Sequence, residues 1–257
     1  MLIRPIVIAL IAVSCARSEE DPGRVVTKLT EGVYSIEHSD PRRGSGSGNT
    51  TVIIGDRQVF VVDSCFVPSD ARKDIEQIRR WTDKPVTFVL NTHFHNDHNY
   101  GNRVFQDAFP AVTIAAHIET KHDMDLVGPT SAERFDKSTV RFQRMLETGK
   151  TADGQQLDAD DIQTVKTALT KRSAISAEMH SIRYQSATLT FEQGFTVDLG
   201  NREVRVMFLG RGNTSGDAIA YLPKEKIAVV GDLLVYPAPY FFDGYPSTLE
   251  RIGATGC

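Results

Sequence analysis

Seven residues constrain this chain more than any others. Thr92-His93-Phe94-His95-Asn96-Asp97-His98 place three imidazoles and one carboxylate within six positions. Immediately before them, Val86-Thr87-Phe88-Val89-Leu90 is a short, apolar, β-branched run of the kind that forms a buried strand. The histidines therefore begin where a strand ends, the sheet edge at which ligands collect in α/β folds. Four ligand-type side chains held this close repel or desolvate one another unless a cation joins them. His93 and His95, two apart, can converge on one ion, and Asp97 and His98 can reach a second position beside it. Zinc takes imidazole nitrogen and carboxylate oxygen, and a catalytic zinc site keeps one position open for water. The expectation is a centre of one or two metal ions that activates water for hydrolysis. Asp97 is also placed to orient that water or move its proton.

The chain of 257 residues is long enough for one sizeable domain. A net charge of −4 without a clustered basic stripe argues against a nucleic-acid surface. The body of the chain has no apolar run long enough to span a membrane. The segment 1–16 is different: it carries one charge, Arg4, an apolar run and then Ser14-Cys15, and it reads as an export signal. Its end is similar to the lipobox of bacterial lipoproteins, which would make Cys15 a lipidated first residue. The expected location is then the periplasm or cell envelope, with lipid on Cys15 as the only membrane contact and 17–23 as a polar tether. Cys15, Cys65 and Cys257 are too scattered for a disulfide framework. Cys65 is expected to be a buried inert thiol, with a place near the metals as the alternative.

Along the chain, 25–36 alternates as a first strand and 42–49 is a glycine- and serine-rich loop. Strands at 50–54 and 59–63 flank the turn Gly55-Asp56-Arg57-Gln58. An amphipathic helix is expected over 68–81, with Ile75 and Ile78 on its apolar face after a Pro68-Ser69 start. A helix or turn at 99–109 and a strand at 111–115 follow the histidine loop. The charged stretch 119–186 reads as several helices around a soft linker at 149–161, and His117 and His122 within this region read as ordinary polar residues. Strands return at 188–191, 195–199, 204–209, 218–222 and 226–230, and a helix begins at 246–252. Two blocks of strands with flanking helices predict an α/β pair of packed sheets. Asp63 and Asp232 each end an apolar strand, so each buried carboxylate needs a partner, and for Asp232 a cation is the natural one.

The run His93-x-His95-x-Asp97-His98 after a strand resembles the defining motif of the metallo-β-lactamase superfamily. Ser47-Gly48-Asn49-Thr50-Thr51-Val52-Ile53-Ile54-Gly55 with Val59-Phe60-Val61-Val62-Asp63 is similar to its N-terminal hairpin. Leu209-Gly210-Arg211-Gly212-Asn213-Thr214-Ser215-Gly216-Asp217 and Val229-Val230-Gly231-Asp232 resemble its later ligand loops, and the likeness covers about 24–252. It implies an αββα sandwich with a helical insert at 119–186 and without its last strand–helix unit. It also implies that the glycine-rich loop overhangs the site, with a plain exposed loop as the alternative. The resemblance further implies zinc (one or two ions, iron as the alternative) bound by His93, His95 and Asp232, and by Asp97 and His98 with Asp232 as a bridge. Asp63 would hydrogen-bond a liganding histidine or its loop.

Two departures qualify the likeness. Asn213 stands where the superfamily usually has a third histidine, and an amide oxygen is a poorer zinc ligand than imidazole. Asn213 would then be a weak fourth ligand of the first ion or orient water or substrate, with Arg211 beside it as a candidate for holding an anionic group. The superfamily also places a closing histidine well after Asp232, whereas the last histidine here is His180, so the chain is expected to be a truncated product. The expected function is hydrolysis of a small-molecule ester, thioester, lactone, β-lactam or phosphoester. The alternatives are a catalytically impaired metal-binding or interaction protein on the same fold, and a redox or sulfur-handling member that would carry iron.

Overall fold

The region 25–36 does not run as one strand. It folds back as β1 (Arg24–Thr30) and β2 (Val33–His38), antiparallel, with Lys28 opposite Tyr34. The alternation of side chains continues across the reversal, and only Glu31-Gly32 betrays it: Gly32 sits at φ 72°, a left-handed conformation that glycine adopts without steric cost. The computed structural model of the chain describes residues 24–38 and 47–234. The segment 1–16 expected to be an export signal, with Cys15, the expected tether 17–23, most of the glycine-rich loop, the helix expected at 246–252 and Cys257 lie outside the described residues.

From β2 the sheet grows through β3 (Ser47–Ile54) and β4 (Val59–Val62), each antiparallel to the last. It then changes character. Helix α1 (Pro68–Trp81) crosses over to β5 (Val86–Leu90), which pairs parallel with β4. The short helices α2 (Asn96–Asn99) and α3 (Asn102–Ala108) lead to β6 (Thr113–His117), again parallel. The helical stretch follows as α4 (Ile118–Val127), α5 (Ser131–Thr148) and α6 (Ala159–His180). The chain then adds β7 (Leu189–Phe191) to complete a seven-stranded sheet in sequence order. Among the described residues, strands β8 (Gly194–Asp198), β9 (Glu203–Phe208), β10 (Ala218–Leu222) and β11 (Ile227–Val229) form a second, antiparallel sheet of four.

The side-chain period of two assigns β4 to two cores at once. Val59 and Val61 face α1, α3 and α4, packing with Ile75, Ile78, Phe105 and Met124. Phe60 and Val62 face the second sheet, packing with Val204, Val206, Ala220 and Leu222. All four β4 residues are fully buried, which is why this strand reads as a continuous apolar run rather than an alternating one. The result is a sheet-on-sheet sandwich with helices on the outer face of the larger sheet.

Helix α1 starts with Pro68 in its first turn, where the missing N–H costs nothing. Its cap comes from elsewhere. The Glu178 carboxylate on α6 accepts from the Ser69 N–H and, at 2.9 Å, from the Ser69 hydroxyl, placing negative charge at the helix N-terminus. Phe135, Ile175 and Met179 pack on Val67 and Tyr100, so the α5–α6 hairpin is fastened to the main body by both apolar and charged contacts. The buried face of α1 also carries Asp70 and Asp74, beside the expected Ile75 and Ile78.

At the same end of that hairpin, His180 Nδ1 donates to the Ser176 carbonyl (2.7 Å) and Nε2 faces Asp136 Oδ2 (3.0 Å). The carbonyl and then the carboxylate favour the imidazolium, raising the His180 pKa above the ordinary 6.5. Its contribution to stability is therefore complete below 6.5 and is lost as pH rises through the raised value. An NMR titration of His180 is expected to give a midpoint above 6.5, and Asp136→Asn to move it part of the way back.

Candidate metal centre

The site begins with the end of β4. Parallel pairing with β5 continues one step past the strand, Asp63 N–H donating to the Leu90 carbonyl at 2.8 Å, so Asp63 lies beside the start of the histidine loop. Asp63 takes φ 60°, a left-handed conformation that is strained for a side-chain-bearing residue and turns its carboxylate toward that loop. Its Oδ1 accepts from the Thr92 N–H, and Oδ2 from the Thr92 hydroxyl, each at 2.8 Å. The same Oδ2 lies 2.8 Å from His98 Nδ1.

This carboxylate sets the orientation of two imidazoles. His98 Nδ1–H is held by Asp63 directly. The Thr92 hydroxyl, already donating to Asp63, accepts from His93 Nδ1–H at 3.0 Å. With both Nδ1 atoms serving as donors, both Nε2 atoms turn toward a common space, the arrangement by which an outer carboxylate aims a metal-binding histidine.

Asp232 enters that space from the turn Gly231–Leu233 after β11. Its carboxylate lies 3.6 Å from His93 Nε2 and 3.3 Å from His98 Nε2. Asp97 Oδ2 lies 3.4 Å from the same His98 nitrogen, and His95 Nδ1 lies 2.9 Å from His93 Nε2. One donor atom each from His93, His95 and Asp232 falls within 4.8 Å of the others. Donors around a tetrahedral zinc with bonds of about 2.0–2.1 Å stand about 3.3–3.4 Å apart, so these spacings suit one ion and leave His98 and Asp97 to flank a second. His98 Nε2 is buried and has no hydrogen-bond partner, although two carboxylates approach it. A polar atom in that position fits a metal ligand better than a satisfied core group.

The electrostatics agree. Burial, reinforced by the neighbouring His98 and His95, pushes the His93 pKa well below the ordinary histidine value, so this ring is neutral. Burial likewise lowers His95. Burial opposes charge on His98 too, but Asp97, Asp63 and Asp232 outweigh it and raise that pKa well above the ordinary value. In the metal-free chain the carboxylates thus favour a positive charge at His98, the place a metal ion would take. Against the cost of burial, His98 and His95 hold the Asp97 carboxyl below its usual range, which keeps it ionised and able to face a cation.

The backbone of the loop is held by amides whose role sequence reasoning missed. Asn91 and Asn102 exchange hydrogen bonds at 2.8 and 3.1 Å, and Asn91 also donates to the His98 carbonyl at 2.9 Å. Ser64 Oγ donates to Asn102 Oδ1 at 2.8 Å, and Asn99 donates to the carbonyls of Phe94 and His95. The available signal was three asparagines flanking the motif at positions where the strand and helices are buried. Gly48 presses on the same loop from β3: a Cβ there would come within 2.3 Å of the Asp97 carbonyl oxygen.

Arg211 and Asn213 lie on the loop after β9. Asp217 Oδ2 clamps that loop by accepting from the N–H groups of Thr214 (2.6 Å) and Gly212 (3.3 Å) and from the Thr214 hydroxyl. Both residues line a cavity of about 930 Å³ with Phe94, Phe208 and Glu119. His93, His95 and Asp232 do not line it, so the cavity adjoins the cluster through Phe94 rather than containing it. His117 is a structural residue: it stacks on Phe208 at 3.9 Å, accepts from the Glu119 N–H and donates to the Glu192 carbonyl. His122 is exposed on α4.

Asp63→Asn removes the charge and turns one of the two accepting oxygens into a donor, so the Thr92 and His98 donors cannot all keep their acceptor. It is expected to weaken zinc affinity by about 10- to 100-fold, measured by competition with a chromophoric chelator. Gly48→Ala forces the loop backbone to move and is expected to cost about 1–3 kcal/mol in urea unfolding.

Comparison with known proteins agrees with this architecture. A metallo-beta-lactamase from Pontibacter korlensis superposes with a TM-score of 0.52 at 16% identity, covering 80% of this chain and 69% of that one. DIM-1 metallo-beta-lactamase exposed to ceftazidime gives 0.50 at 19% identity, covering 82% and 70%. At these identities the likeness is one of fold. The alkyl/aryl-sulfatase BDS1 of Saccharomyces cerevisiae is 33% identical over 75 residues, 29% of this chain, and the chain spans about a tenth of that protein's length. The family model described as the metallo-beta-lactamase superfamily matches residues 43–253, and the chain belongs to that superfamily.

Proposed function

We propose that this protein is a zinc-dependent hydrolase of a small-molecule substrate. The observation that carries it is the convergence of His93, His95, His98 and Asp232, from two segments far apart in sequence, on one part-buried space where two carboxylates face the His98 Nε2. His93, His95 and Asp232 would hold one ion, and Asp97 and His98, with Asp232 between, a second. When bound, the ions supply a nucleophilic water near neutral pH and polarise the scissile bond. Asp97, ionised and part-exposed, would orient the attacking water and could take its proton and pass it to the leaving group. Asp63 does no chemistry; it fixes the two rings. Arg211 and Asn213 face the adjoining cavity, where a guanidinium and an amide suit a substrate with an anionic or carbonyl group. The candidate linkages are ester, thioester, lactone, β-lactam and phosphoester, and the sulfatase likeness adds a sulfate ester. The chain acts in the periplasm or cell envelope on this account, following the export segment read from its first residues.

The test is metal content by plasma mass spectrometry on the purified chain and on His93→Ala. About one or two zinc ions per chain, lost in the variant, are expected. A metal-loaded chain should then hydrolyse at least one member of a panel of those six linkages. Less than about 0.2 ions per chain would contradict the proposal, since a structural or catalytic zinc site binds far more completely. Full loading without turnover on the panel would favour the alternative of a metal-binding protein impaired by Asn213.

A further inference from the structure

A second set of ligand-type side chains lies behind the histidine loop. His38 ends β2, Cys65 follows β4, and Asp74 sits on the buried face of α1. They are 3%, 0% and 0% exposed, and one donor atom from each lies within 4.8 Å of the others. We propose that His38, Cys65 and Asp74 form a closed site for a thiophilic divalent ion such as zinc, which braces β2 and α1 against the segment that carries Asp63.

The geometry of the donors supports a shared ion. His38 Nε2 stands 3.1 Å from Asp74 Oδ2, close to the donor spacing of about 3.3 Å around zinc. Asp74 Oδ2 nevertheless accepts no hydrogen bond, although it is fully buried. His98 Nε2 in the candidate metal centre is likewise buried and faced by other donor atoms without an aligned hydrogen bond. Arg24 Nη2 donates to the other oxygen, Asp74 Oδ1, at 2.9 Å. It thereby orients the carboxylate and leaves Oδ2 directed at His38, as outer partners do for a liganding carboxylate. Thr50 Oγ1, 3.3 Å from His38 Nε2 and fully buried, adds a fourth polar atom to the wall.

Donor chemistry selects the ion. A thiolate with an imidazole and one carboxylate suits zinc and disfavours magnesium and calcium, which take oxygen. Uptake of a divalent ion releases the Cys65 thiol proton, and the two ligand charges of thiolate and carboxylate balance the ion. Burial of all three donors makes the site structural rather than catalytic. It also fits the backbone: Cys65 holds φ 63°, a conformation unfavourable by about 1–2 kcal/mol for a side-chain-bearing residue unless its surroundings fix it.

Cobalt(II) provides the test because sulfur ligation to cobalt gives a near-ultraviolet charge-transfer band that nitrogen and oxygen donors do not. The full chain is prepared with Cys15→Ser and Cys257→Ser, leaving Cys65 as its only thiol, and with His93→Ala and Asp232→Ala to disable the other centre. About one cobalt per chain with the sulfur band is expected, and Cys65→Ser and His38→Gln should each abolish the band. A folded chain, checked by circular dichroism, that retains no cobalt and shows no band would overturn the proposal and leave Arg24, Asp74 and His38 as an ion network alone. If the substituted chain does not fold, zinc-edge absorption on the unsubstituted chain decides instead. A sulfur shell at about 2.3 Å supports the site, and a shell of nitrogen and oxygen only overturns it. The outcome is separable from the proposed hydrolase: a sulfur-bound ion without turnover supports this site alone, and turnover without one supports only the other centre.

Discussion

The Asp63 carboxylate is the interaction on which the rest of the site depends. A buried anion is costly unless it is paired and hydrogen-bonded; the Thr92 backbone, the Thr92 hydroxyl and the His98 ring offset part of that cost, and burial still holds the Asp63 pKa above the usual carboxylate range. Each of these partners belongs to the histidine loop, so the group that needs stabilising is also the group that shapes the loop. The left-handed turn at Asp63 is the local cost of this arrangement, and the parallel pairing of β4 with β5 holds it in place.

The scaffold makes that clamp rigid. β4 and β5 lie between two apolar cores, one against the helices and one against the second sheet. A strand buried on both faces has no freedom to slip, because a one-residue shift would exchange its two sets of side chains. The clamp therefore sits at the end of the best-held elements, while the loop that carries Arg211 and Asn213 comes from the second sheet and brings its own aspartate, Asp217. The two halves meet where β11 delivers Asp232 to the histidines. Past the end of β4, the cluster of His38, Cys65 and Asp74 joins the first hairpin to α1.

Much of this was legible because apolar period and length carry it. The strand at 86–90 and the helix at 68–81 fall where their patterns put them, since each has a clean face and a clear end. The first hairpin was not legible, because its alternation runs unbroken through a turn marked by a single glycine. Local pattern also could not show that Asp70 and Asp74 point inward on α1. Asp74 is buried because Arg24 and His38 meet it, and those partners are distant in sequence. The histidine cluster announced itself by density alone. The meeting of Asp232 with His93 needed the family likeness before the fold, and the asparagine network was visible only in three dimensions.

The central claim is that His93, His95 and Asp232 converge on a metal ion with Asp63 fixing their approach. Anomalous diffraction across the zinc edge, from crystals of the zinc-loaded protein, tests it most directly. The account predicts a zinc peak bounded by those three side chains, with Asp63 still bonded to Thr92 and His98. A zinc-loaded crystal with no peak among them, or with the histidines turned away from Asp232, would contradict it.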